Sequence, residues 1–120
     1  MKSKPEELRD RTKRFAILIV KFFQSLPRTD EARILGKQLL RCASSVAANY
    51  RAVGRARSRA EFISKLGTVV EEADESVFWL EMLTETDIVP KEKVESLLKE
   101  GNELLAIFAA SQRTARANRK

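Results

Sequence analysis

Residues 30–55, "DEARILGKQLLRCASSVAANYRAVGR", divide into three stripes when wound as one helix. At 100° per residue, Leu35, Leu39, Cys42, Val46, Asn49 and Val53 fall on one stripe, which is the expected core face. Gly36, Leu40, Ala43, Ala47 and Gly54 form a second, small enough to admit another helix at close range. Arg33, Lys37, Arg41, Arg51 and Arg55 form a third, a basic ridge running about 33 Å along a straight helix. Two faces that call for neighbours and one that calls for solvent or an acidic partner describe a helix at the corner of a bundle. Thr29 or Asp30 is its expected N-cap.

The chain on either side reads the same way. Pro5, followed by Glu6 and Glu7, suits the first turn of a helix over about 5–26, which ends before Pro27. Leu8, Phe15, Leu18, Ile19, Phe22 and Leu26 follow the helical period and give its buried stripe. Ile17, Val20 and Phe23 widen the stripe, so this helix is expected to touch two partners. The segment "RARS" breaks the second helix, and Ser58 with Glu61 reads as a capping box opening a third over about 59–86. Phe62, Leu66, Val69, Ala73, Val77 and Leu80 are its core face; Glu72, Glu75, Trp79 and Met82 are placed opposite. "ETDIVPKEK" ends it and starts a fourth helix over about 90–112, with Pro90 in the first turn. Val94, Leu97, Leu98, Leu104, Leu105, Ile107 and Phe108 form the apolar side, and Gly101 is a tolerated weak point. "SQRTARANRK" closes the chain as a frayed basic tail over 113–120. Short connections between long helices predict one all-α domain, an antiparallel up-down four-helix bundle.

Composition narrows the function classes. The 120 residues are 43% hydrophobic and 33% charged, with four Gly and three Pro, which is too apolar for a disordered chain and too poor in turn residues for a many-stranded sandwich. The longest apolar run, "FAILIV" at 15–20, is far short of a membrane span, and the acidic residues before it argue against a secretory leader, so the cytoplasm is the expected location. No histidine is present, which removes the commonest general base and metal ligand; Cys42 is the only cysteine, so neither a disulfide within the chain nor a zinc framework can form. Glu71, Glu72, Asp74 and Glu75 lack the Glu-x-x-His pairs of a bundle di-metal site. No glycine-rich phosphate loop and no Gly-x-Ser-x-Gly occurs, and Ser44 and Ser45 have no base at helical spacing. No catalytic residue, metal or cofactor is expected.

Charge is the informative feature. The net +6 is distributed as +4 over 1–27, +6 over 28–59, −7 over 60–87 and +3 over 88–120. One reading sends the second-helix ridge, with Arg57 and Arg59 at the helical joint, to the phosphates of RNA or DNA, without aromatic residues for base stacking. The other joins basic and acidic faces between subunits, with Arg51 and Arg55 meeting Glu72 and Glu75 of a neighbour around Trp79 and Met82. Arg57 and Arg59 equally suit a solvated hairpin joint, and Trp79 equally suits a shield at the bundle edge.

The span from Leu39 to Leu83 resembles the 23S rRNA intervening-sequence protein family of four-helix bundles. The matching positions are Arg41, Ser45, the Asn49–Tyr50–Arg51 run, Arg55, Arg57, Ser58, Glu61, Phe62, Lys65, Glu72, Glu75 and Trp79. Ala52 departs from the pattern, where Glu is frequent. The first and last helices match by pattern alone. The resemblance implies a bundle that assembles into rings of five, in some cases encoded within rRNA genes. It also implies kinship with the accessory variability protein of diversity-generating retroelements, and with it a possible reverse-transcriptase partner and contact with nucleic acid.

Overall fold

Ser3 sets where the first helix begins. Its hydroxyl accepts from the Glu6 amide at 3.3 Å while the Glu6 carboxylate accepts from the Ser3 amide, a reciprocal capping box ahead of Pro5. The computed structural model describes residues 1–118, and α1 runs Lys4–Gln24. Thr29 caps α2 (Asp30–Val53), and Ser58 caps α3 (Arg59–Glu85) by accepting from the Glu61 amide at 3.0 Å. The Glu61 carboxylate does not return the bond, so the capping box expected there is only half formed.

The fourth helix differs from the sequence expectation at both ends. Pro90 opens a 3-10 turn over Lys91–Lys93, and α4 proper runs Glu95–Ala117. Val94, fully buried with φ −112, breaks the backbone between the two. Burying this side chain under the bundle end takes precedence over continuing the helix from Pro90. The expected frayed tail is helical through Ala117, because Ala115 is buried and ties the last turns down. Arg119 and Lys120 of that tail lie outside the described residues.

Each helix packs beside its chain neighbours, and α1 meets α4 to close the ring, so α1 and α3 stand diagonally in an up-down bundle of four helices. The core runs through Phe15 and Ile19 of α1, Leu39, Ala43 and Val46 of α2, Leu66, Val69 and Leu80 of α3, and Leu104 and Phe108 of α4. Among the described residues no helix is long and apolar enough to cross a membrane. Two joints fix the register. Arg11 clamps α1 to α4, donating from Nη2 to Glu100 Oε1 at 2.6 Å and from Nε to Glu100 Oε2 at 3.1 Å. Gly36 lets α1 lie close on α2: a Cβ there would sit 2.5 Å from Leu26 Cδ1 and 3.0 Å from Phe23 Cδ1. Gly101 is likewise a packing site rather than a weak point, since a Cβ on it would reach Val77 Cγ2 at 3.2 Å.

α1 does touch two helices, and of the three residues expected to widen its stripe Phe23 packs on α2 at Gly36 while Ile17 and Val20 are 46% and 39% exposed. Leu18, expected in the buried stripe, is 43% exposed. Buried Thr12 takes a core position instead, its hydroxyl donating to the Arg9 carbonyl at 3.0 Å.

Gly36→Leu is expected to lower unfolding stability by about 1–3 kcal/mol through overpacking against Phe23 and Leu26, read by urea titration; an unchanged midpoint would mean that the helices have room to spare. Asp87, at φ 60, closes α3 in the left-handed region. Relief of its side-chain penalty, partly offset by glycine's extra unfolded-state freedom, makes Asp87→Gly stabilising by about 0.5–1 kcal/mol in the same titration.

Candidate nucleic-acid interface

Arg33, Lys37, Arg41 and Arg51 lie exposed along α2 and Arg55 lies exposed just past its Gly54 C-cap, with Ser44 and Ala48 exposed between them. The ridge is not electrically uniform, however. Arg41 is drawn across to α3, donating from Nη1 to Glu72 Oε2 at 3.3 Å and from Nη2 to Glu75 Oε2 at 2.9 Å. The Cys42 thiol donates to the same Glu75 oxygen at 3.0 Å. That bond, with Arg41 beside it, holds the Glu75 carboxyl below its usual range, while burial and the adjacent Glu75 push the Cys42 thiol up to about 12. The thiol therefore stays protonated at neutral pH and is a poor nucleophile. Ligand atoms of Cys42, Glu72 and Glu75 fall within 4.8 Å of one another, but Arg41 already bonds both carboxylates. The cluster is a cross-link between α2 and α3, and it removes Arg41 from the free cations of the ridge.

The far end of the ridge is reinforced by two other helices. Arg51 and Arg55 face Arg9 and Lys13 of α1 across a groove of about 510 Å³ whose floor is Ser44, Ala47 and Ala48. Asp10 lies on its rim, and Lys2 pairs with that carboxylate and holds it below its ordinary range. On the other flank of α2, Arg51 and Arg55 also line a second groove of about 300 Å³ with Arg57 and Lys65, where Glu61 is the one acid. Among the described residues, none of Arg9, Lys13, Arg51, Arg55, Arg57 and Lys65 makes an ion pair. Arg59 stands apart, in a shallow depression around Val53, Gly54 and Phe62.

Arg9, Lys13 and Lys65 were not among the expected cations. A signal for the first two exists in the sequence: in an antiparallel hairpin about Pro27, residues equally far from the turn lie side by side, which sets Arg9 and Lys13 beside Arg41–Ser45. The small groove floor just beyond then leaves room for their long side chains.

Glu72 and Glu75, expected to meet Arg51 and Arg55 of a neighbouring subunit, point to α2 of their own chain and are bonded by Arg41. Trp79 is half-buried against the core, with Nε1 buried and lacking a hydrogen-bond partner among the described residues, and Met82 is half-buried. The outward aromatic on α3 is Phe78, 48% exposed and set edge-on to Trp79 with ring centroids 4.9 Å apart.

The chain is similar to other proteins over most of its length. The family model described as 23S rRNA-intervening sequence protein matches residues 6–110. The crystal structure of a protein of unknown function from the S23 ribosomal protein family of Bacteroides thetaiotaomicron VPI-5482 is similar, with a TM-score of 0.85 and 32% identity, covering 92% of this chain and 99% of that one. No curated protein matches. With the match spanning nearly all of the bundle, from the first turn of α1 into the second half of α4, the chain belongs to the 23S rRNA-intervening sequence protein family.

Proposed function

We propose that this protein is a non-enzymatic, self-associating bundle of the cytoplasm that binds the phosphate backbone of nucleic acid. The observation that carries the reading is the gathering of six cations, four from three helices and two from the α2–α3 joint, free of ion pairs among the described residues, around the C-terminal half of α2. Cations left unneutralised by their own chain create a field that an anionic polymer relieves by releasing its condensed counterions, so affinity falls steeply with salt. The alanines of the groove floors let a phosphodiester chain approach closely, and guanidinium groups fit phosphate oxygens in pairs. With no base-edge reader apparent among these side chains, contact is to shape and backbone. The family name refers to 23S rRNA, which makes a structured RNA the first ligand to test.

A second observation favours assembly of copies. The outward side of α1 carries Ile17 and Val20 among Lys13 and Lys21, and the outward side of α3 carries Phe78 among Glu71, Asp74 and Glu81, all of them exposed. On diagonal helices these faces point away from each other, which suits a head-to-tail contact from one copy to the next; such contacts close into rings where the rotation permits. This pairing replaces the one through Glu72 and Glu75.

Fluorescence anisotropy with a labelled RNA hairpin tests the first reading. Arg51→Glu with Arg55→Glu is expected to weaken binding by at least about tenfold, since two attractive phosphate contacts become repulsive, while Arg33→Glu with Lys37→Glu changes it by less than about threefold. The reverse ranking would move the site to the other end of α2. For assembly, light scattering on Phe78→Lys is expected to give the 13.6 kDa monomer with unchanged helical circular dichroism. A mass equal to that of the parent protein, whether oligomer or monomer, would remove the α3 face from any interface.

A further inference from the structure

The two grooves at the end of α2 share Ala48, Arg51 and Arg55, and beyond α2 one is completed by α1 and the other by the α2–α3 joint and α3. We infer that they hold two phosphate chains at once, one on each flank of α2, so that the ligand is duplex nucleic acid rather than a single strand. The inference rests on the backbone-binding reading and narrows it.

Three features lead there. Each groove has its own pair of cations, Arg9 and Lys13 on the α1 side and Arg57 and Lys65 on the α3 side, in addition to the shared arginines. A single strand following one groove would leave the other pair unused. The helix between them has a diameter of roughly 10–12 Å with side chains, close to the roughly 12 Å width of the B-DNA major groove. The face it presents, Ser44, Ala48 and Ala52 between the arginines, is low enough for duplex walls to rise on both sides. In A-form RNA the equivalent contact is across the wide, shallow minor groove, whose bordering phosphates flank the same ridge. Finally, no aromatic side chain lines either groove, and single-strand binders depend on such rings to stack bases.

The test is anisotropy with four labelled probes: a 20-base-pair RNA duplex, a 20-base-pair DNA duplex, and single-stranded oligo(U) and oligo(dT) of the same length. Each is titrated from low to physiological salt with the unmodified 120-residue protein and with two double variants, Arg9→Ala/Lys13→Ala and Arg57→Ala/Lys65→Ala. At least one duplex is expected to bind about tenfold or more tightly than both single strands. Each double variant is expected to weaken that duplex and to flatten its slope of log affinity against log salt by up to about 1.8, two phosphate contacts' worth. The tighter duplex tells whether the groove engaged is of A or B form. Equal affinity for single strands and duplexes, or a duplex slope that only one of the two variants changes, would overturn the two-chain arrangement while leaving backbone binding intact. Absence of binding by the unmodified protein to all four probes at low salt would overturn both. Circular dichroism of the variants, whose altered residues lie at the surface, separates a binding loss from unfolding.

Discussion

The close approach of α1 to α2 at Gly36 is the constraint on which the basic surface depends. With no side chain at that position, Phe23 and Leu26 come down onto the α2 backbone, and the two helices are pinned near their turn. From a pinned turn the rest of the antiparallel pair follows at 1.5 Å per residue, so that Arg9 and Lys13 arrive beside Ser44 and Ala47 without any contact of their own to hold them. The Arg11 fork on Glu100 then holds the other flank of α1 to α4. Packing places these cations; they do not place themselves.

Electrostatics divides what packing aligns. Five basic residues on one face of α2 look equivalent along the chain, yet the bonds from Arg41 to Glu72 and Glu75 tie it to its own fold. The arginine side is exposed, so the contribution to stability is modest, but the two bonds offset part of the negative charge of α3 nearest the ridge. Beyond it, towards the hairpin joint, cations from α1 and α3 join Arg51 and Arg55 with only Asp10 and Glu61 at the rims, and Asp10 is already occupied by Lys2. The chain therefore concentrates positive charge at one end of the bundle and outward negative charge along the middle and far end of α3.

Local signals in the sequence were sufficient for the bundle. Periodicity placed α2 and α3 within two residues of their observed ends, because Thr29 or Asp30 and Ser58 are strong cap residues and each apolar stripe has a single core to face. α4 was less legible: Pro90 is a proper helix opener by local rules, and only the burial of Val94 makes it open a short turn instead. The same limit applies to surfaces. Ile17, Val20 and Phe78 carry no mark in sequence that separates an outward apolar side chain from a core one, and Trp79 was set outside the core because one helical wheel shows only one neighbour. The ridge could be read from α2 alone. Its partners from α1 and α3, and the loss of Arg41 to an internal bond, depend on which helix lies beside which, information that exists only once the chain is folded.

Cys42 gives this bundle a built-in clock. It is the chain's only cysteine, sealed in the α2–α3 seam with its proton held against Glu75, and its sulfur meets a reagent only when that seam parts. The rate at which a small alkylating agent consumes it therefore reports every opening that parts this one named seam. A ligand that grips α2 from both flanks would slow that count from some distance away, without touching the sulfur.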